Sequence, residues 1–225
     1  MSKIKSMLML QQELNDNTNG TGWEKGVTKQ GKPIDWRRCI LLESAELIES
    51  YPWKHWKNID APADKENIKI EVVDIWHFIM SEILRINATT SKDTIENLAL
   101  SIRELPNFIA LKNNANEIGN NYFEQIANIE SFVKTLFNDE EWKEMTNSYF
   151  GVVAQSGLNL DSLYQLYIGK NILNKFRQDN GYKDGTYKKI WNEKEDNIVM
   201  QEILSANSNI TPQCLYEELE SIYNQ

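Results

Sequence analysis

Hydrophobic positions recur with helical spacing along nearly the whole chain, and strand-like alternation is scarce. The apolar stripes predict helices over Ile4–Asn15, Asp35–Trp56, Asn67–Asn87, Ser91–Leu105, Tyr122–Phe137, Glu140–Gln155, Leu160–Asp179, Asp196–Leu204 and Pro212–Tyr223. Start signals agree at three of them. Asp35 precedes a long apolar-rich run, Ser91 precedes Asp93 and Glu96, and Pro212 suits a first helical turn. Gly and Asn collect in Asn15–Lys32 and Asn180–Tyr187, which read as loops. No internal repeat and no low-complexity segment stands out. The pattern predicts an all-α fold, a helical bundle forming one domain over 1–225, with a rigid core and a mobile lobe.

Composition narrows the function classes. The 225 residues carry 24 Lys and Arg against 33 Asp and Glu, for a net charge of −9. At 41% hydrophobic and 10% aromatic, the chain can bury a sizeable core and is not a disordered one. No apolar run approaches the roughly 20 residues of a membrane helix. The apolar stretch within Met1–Leu10 is too short for a signal peptide. Cys39 and Cys214 form no CxxC, so neither a disulfide framework nor a thiolate zinc site is indicated. A cytoplasmic protein is expected, with no membrane partner. The acidic balance argues against a nucleic-acid polymer as ligand.

Two predicted helices carry acids on otherwise apolar strips. In Asp35–Trp56, Glu43, Glu46 and Glu49 fall within a strip about 120° wide, shared with Cys39, Leu42 and Trp53. In Asn67–Asn87, Glu71 and Asp74 lie one turn apart, flanked by Ile70, Ile75 and Phe78. Glu46-x-x-Glu49 and Glu71-x-x-Asp74 therefore form two acidic pairs, and antiparallel packing would bring four carboxylates together. Their repulsion raises pKa values unless divalent cations sit between them. An oxygen-only donor set suits Mg²⁺ or Mn²⁺ rather than zinc. The same spacings also arise on the solvated faces of ordinary amphipathic helices.

One segment reverses the overall charge. Lys170, Lys175, Arg177, Lys183, Lys188 and Lys189 stand against Asp179 and Asp184 between Gln165 and Trp191. Lys170, Asn174, Arg177 and Gln178 fall within about two helical turns, and Gly181–Tyr187 follows as a glycine-containing loop. Lys, Arg and Tyr donors beside such a loop suit phosphate oxygens. Carboxylates for metals and cations for phosphates are together the inventory of a nucleoside polyphosphate hydrolase.

The motifs Ser44-Ala-Glu-Leu-Ile-Glu49, Tyr51-Pro-Trp-Lys-His-Trp-Lys57, Glu71-Val-Val-Asp74, Gly169-Lys-Asn-Ile-Leu-Asn174, Phe176-Arg-Gln178 and Gly181-Tyr-Lys183 resemble the dimeric dUTPases, members of the all-α, MazG-related NTP pyrophosphatase superfamily. The resemblance runs from about Leu10 to Trp191. The paired acids mark the superfamily, and the Trp-Lys and Lys-Asn-x-x-Asn segments mark the dUTPase branch. It implies a helical homodimer that hydrolyses dUTP, and dUDP, to dUMP with two or three Mg²⁺, Mn²⁺ being a substitute. Water would attack the β-phosphorus. Glu46, Glu49, Glu71 and Asp74 would hold the metals, with Glu46 or its rival Glu49 activating the water. Gln12 and Asn15 would read the uracil edge, with Phe78 and one of Trp53 and Trp56 lining the base or sugar pocket. Lys170, Asn171, Asn174, Arg177, Tyr182 and Lys183 would meet the phosphates.

Three alternatives use the same residues. A di-iron carboxylate bundle wants Glu-x-x-His from two helices, but only Asp74-x-x-His77 approaches that pattern and the other histidine is His55. A related pyrophosphatase acting on dCTP would differ only in the base pocket. A non-catalytic helical interaction protein would show no metal dependence.

Overall fold

Helix caps set the ends of most elements. The computed structural model describes residues 2–58, 61–111, 118–137, 142–207 and 209–224. In chain order the elements are α1 (Lys3–Asn19), a short 3-10 turn (Trp23–Lys25), α2 (Trp36–Glu49), α3 (Lys65–Thr89), α4 (Ile95–Arg103), α5 (Pro106–Leu111), α6 (Tyr122–Thr135), α7 (Trp142–Gln155), α8 (Leu160–Asp179), β1 (Ile190–Trp191), β2 (Lys194–Glu195), α9 (Asp196–Ala206) and α10 (Pro212–Tyr223). The fold is all-α, as the periodicity predicts, with one two-residue hairpin among the described residues. No described helix is long and apolar enough to cross a membrane.

Where the predicted ends fail, a local reason is visible. Asp35 caps α2 by accepting from the Arg38 amide at 3.0 Å, but α2 stops at Glu49 instead of Trp56. Pro52 disfavours helical backbone at Tyr51 and has no N–H to continue the ladder, so Trp53 and Trp56 leave the helix. Thr94, not Ser91, caps α4. The Ser91 hydroxyl instead donates to Asn87 at 2.9 Å, at the end of an α3 that runs to Thr89. Predicted Glu140–Gln155 is seen from Trp142, its first residues lying outside those described.

The chain divides into two compact units, Met1–Leu163 and Tyr164–Gln225, the boundary falling inside α8. In the first unit α3 is the central element, with α1, α2 and α7 packed against it. Trp76 is fully buried on α3 and stacks on Tyr149 of α7, ring centres 5.3 Å apart, with Phe150 at the same distance. The Tyr149 hydroxyl donates to the Val72 carbonyl at 2.9 Å. Helices α5 and α6, whose sequence shows few motifs, pack on α7, and α4 packs on α1 and α5.

The α2–α3 pair is the most closely associated in the fold. It is antiparallel and pinned at both ends. At one end the buried Glu82 of α3 accepts from Arg37 of α2 at 2.9 Å and from Arg85 of its own helix at 2.7 Å. At the other, Asn67 donates to the Ser50 hydroxyl at 2.9 Å and the Asp64 amide to the Ser50 carbonyl at 2.9 Å.

The second unit closes around Phe176, fully buried, with Tyr187, Trp191, Tyr216 and Tyr223 packed on it at 5.3–6.3 Å between ring centres. Replacing Trp76 by Ala, which removes the aromatic stack at the centre of the first unit, is expected to lower the unfolding free energy by about 3–5 kcal/mol in chemical denaturation.

Candidate active site

Between the two pins, α2 and α3 bring acids together. One carboxylate oxygen each from Glu43, Glu46 and Glu71 lie within 4.8 Å of one another. Glu71 is buried, Glu43 half-buried and Glu46 exposed, so the cluster runs from the helix interface to solvent. Asp74, half-buried one turn along α3, adds its charge to the same place. Burial, and then the charges of Asp74, Glu43 and Glu46, push the Glu71 carboxyl up to about 8. A hydrogen bond to Glu43 also favours the protonated form.

Of the acids on α2, this group includes Glu43 and Glu46 but not Glu49. Glu43 and Glu49 flank Glu46 symmetrically on a helical wheel, and the position of α3 decides between them. Glu43 faces Glu71. Glu49 is the last residue of α2, half out in solvent, and forms an ion pair with Lys54 in the following turn. The pair on α2 that meets α3 is therefore Glu43-x-x-Glu46. The donors are all oxygens, from three glutamates and an adjacent aspartate, which fits a hard divalent cation.

An aromatic group sits on the same pair of helices. Phe78 stacks on Trp36 at 5.9 Å with an interplanar angle of 26°, and Trp23 meets Trp36 edge-on at 5.7 Å. The indole N–H groups of Trp23 and Trp36 are buried without a protein acceptor among the described residues. Trp36 escaped the sequence reading, although it lies seven residues before Glu43 and so on the same face of α2. Trp53 and Trp56 pack on each other at 5.7 Å in the turn after α2, with Trp56 largely exposed.

On α1, the residues expected to read a base divide. Asn15 is buried and donates to the Ser81 hydroxyl of α3 at 2.9 Å. Gln12 instead gives its amide to Asp16 at 3.2 Å and Glu24 at 2.9 Å. Its neighbour Gln11 is the buried amide beside Asn15, at 3.3 Å.

The basic residues form a network inside the second unit. Buried Arg177 clamps buried Asp196 with two hydrogen bonds of 2.8 Å, and Asp196 also accepts from the Tyr187 hydroxyl at 2.8 Å. Although burial works against it, the Arg177 guanidinium, with Tyr187, holds the Asp196 carboxyl below its ordinary range. Lys170 donates to Asn197 at 2.8 Å, and Arg177 reaches Asn174 and Asn197 at 3.2 Å each. Asn171 is buried beside the Tyr167 hydroxyl, Tyr182 lies 5.9 Å from the Arg177 guanidinium, and Lys183 is exposed. Asp196 and Asn197, the residues that organise this set, were not anticipated. Being the first two residues of a helix and adjacent in sequence was their only signal.

An all-α fold with carboxylates converging between two antiparallel helices, and oxygen as their only donor, defines a helical carboxylate-site protein. Residues 3–182 match the dUTPase family model, and the chain belongs to that family. It is a dUTP diphosphatase, an enzyme of nucleotide metabolism. The match spans α1 through α8 and ends before the hairpin, α9 and α10. No curated protein gives a match.

The raised Glu71 carboxyl makes a stability prediction for the protein in chelator. Between the unfolded value near 4.5 and the folded value of about 8, the folded chain holds a proton that the unfolded chain has lost. Stability is therefore full below the window and falls as pH rises through it. Melting temperature is expected to drop by roughly 5 °C between pH 5.5 and 8.5. Glu71→Gln should flatten that drop, and a drop of the same size in the variant would contradict it.

Proposed function

We propose that the enzyme hydrolyses dUTP, and dUDP, to dUMP with Mg²⁺ held by Glu43, Glu46, Glu71 and Asp74. The observation that carries this reading is the convergence of Glu43, Glu46 and Glu71 on one point between α2 and α3, in a chain of the dUTPase family. Four carboxylates there, one raised toward neutrality, form a poor resting state and a good cation site. When bound, divalent cations neutralise the polyphosphate and lower the pKa of water.

The protein's own groups then have distinct tasks. Glu46, exposed at the open side of the cluster, orients the attacking water toward the β-phosphorus. Glu71, inside, would hold the cation as a carboxylate, giving up on binding the proton it retains. Asn15 reads the uracil edge, since a carboxamide can accept from N3–H and donate to a ring carbonyl. Phe78 and Trp36 supply the flat apolar wall that a base or sugar packs on. Lys170, Asn171, Asn174, Arg177, Tyr182 and Lys183 serve the phosphates, with Asp196 and Asn197 holding the buried members in place. The active form is a homodimer in the cytoplasm, and Mn²⁺ can substitute for Mg²⁺.

Pyrophosphate release from dUTP, dCTP, dTTP and UTP tests the reading. Wild type should prefer dUTP and require Mg²⁺ or Mn²⁺. Glu43→Gln, Glu46→Gln and Glu71→Gln should each lower kcat by about 10²-fold or more, and Glu49→Gln by less than about tenfold. A larger loss from Glu49→Gln than from Glu43→Gln would restore Glu49 to the metal site. Preference for dCTP would keep the chemistry and overturn the base assignment. Wild-type turnover in all three core variants would leave the acids a structural role only.

A further inference from the structure

Glu82, which pins α2 to α3, is only 2% exposed, yet two arginines hold it. Arg85 forks its two oxygens, with Nε at 2.7 Å and Nη2 at 2.9 Å, and Arg37 adds its Nε at 2.9 Å. One guanidinium would balance that carboxylate. The second leaves a positive charge over. Among the described residues, no acceptor takes the terminal nitrogens of Arg37 or the Nη1 of Arg85. Both half-buried guanidiniums line one cleft of about 460 Å³, to which the start of α7 adds Lys143. Three cations there meet Glu82 and the rim acid Asp93, so the cleft stays positive although the chain carries a net charge of −9.

The other walls select what an anion there would carry. Ile86, Leu98 and the Trp142 ring supply apolar surface. The Thr90 and Ser91 hydroxyls give their protons to the Ile86 carbonyl at 2.7 Å and to Asn87 at 2.9 Å. Their lone pairs therefore face a ligand that brings its own O–H or N–H. The volume exceeds what a bare phosphate fills and lies in the range of small-molecule sites. We propose that this cleft is a second ligand site, taking a nucleoside monophosphate with its phosphate on Arg37, Arg85 and Lys143 and its ring on Trp142. A small excess of positive charge suits a monophosphate better than a polyphosphate. The catalytic acids take no part. Arg37 lies six residues before Glu43 on α2, about 9 Å along the axis, and Arg85 eleven after Asp74 on α3, about 16 Å along. The occupant bridges α2 and α3 beside Glu82, and so tightens the pair that carries those acids without touching them.

The indole N–H signals in NMR read this site directly, because Trp142 is one of seven tryptophans and Trp142→Phe identifies its signal. In chelator, AMP or dUMP is expected to shift the Trp142 signal saturably, at concentrations about tenfold or more below those needed with inorganic phosphate. Lys143 is exposed, and its one partner among the described residues is the Trp142 ring, 5.9 Å away. Lys143→Glu should weaken nucleotide binding about tenfold or more, while dUTP hydrolysis without added monophosphate stays at the wild-type rate. Arg85→Lys keeps a charge for Glu82 but loses the fork, and should weaken binding as well. Thermal melting checks that each variant is folded, and Lys143→Glu stands alone if Arg85→Lys is not. Half-saturation by inorganic phosphate at the nucleotides' own concentration would make this a site for free phosphate and overturn the nucleotide. No saturable shift by about 10 mM of either nucleotide, or undiminished binding in a folded variant, overturns the site itself.

Discussion

Repulsion among carboxylates on α2 and α3 is the constraint around which the first unit is arranged. Glu43, Glu46 and Glu71 would drive the helices apart if nothing opposed them. The opposition is placed at the two ends of the pair. Arg37 and Arg85 hold Glu82 at one end, and Ser50 takes hydrogen bonds from Asn67 and Asp64 at the other. Behind α3, the stack of Trp76 on Tyr149 supplies apolar packing that charge cannot disturb. A site that destabilises itself is thus inserted into the most firmly fastened helix pair of the fold. Such local cost inside an over-determined surrounding is how functional groups are kept in unfavourable positions.

The protein uses buried polar groups in two other ways. At the α1–α3 crossing, neutral amides, an imidazole and a hydroxyl are linked by hydrogen bonds. In the second unit, a full ion pair, Arg177 with Asp196, is buried under an aromatic shell and extended by asparagines. Clustered acids, linked neutral donors and acceptors, and a matched ion pair are three different answers to the same desolvation penalty. The clustered acids are the set whose chemistry calls for a positive ligand.

Much of this architecture was readable in the sequence, and the misses have local causes. Helical periodicity located α2, α3 and α8, and Asp35 and Pro212 marked true starts. The end of α2 was misread because Tyr51, Trp53 and Trp56 continue its apolar pattern, whereas Pro52 controls the backbone. The longer predicted helix also makes Glu49 look as interior as Glu43, whereas the structure puts Glu49 at the helix end beside Lys54. A wheel gives angles on one helix, not the position of the neighbour that selects among them. Similarly, Gln11 and Gln12 are adjacent, and only the crossing of α3 shows which amide is buried with Asn15. The hairpin was missed because its strands have two residues each. Its turn also places Asn192 and Glu193 at positive φ, 47° and 68°, without the glycine that advertises such turns.

The clamp of the second unit has a consequence for how the chain must be made. Arg177 belongs to the stretch that matches the family, but Tyr187, Asp196 and Asn197, which satisfy it, lie beyond residue 182. In the folded unit the Arg177 guanidinium is buried only together with groups that come later in the chain. This part of α8 therefore takes its final packing only once the segment through Asp196 and Asn197 has been made and folded back onto it.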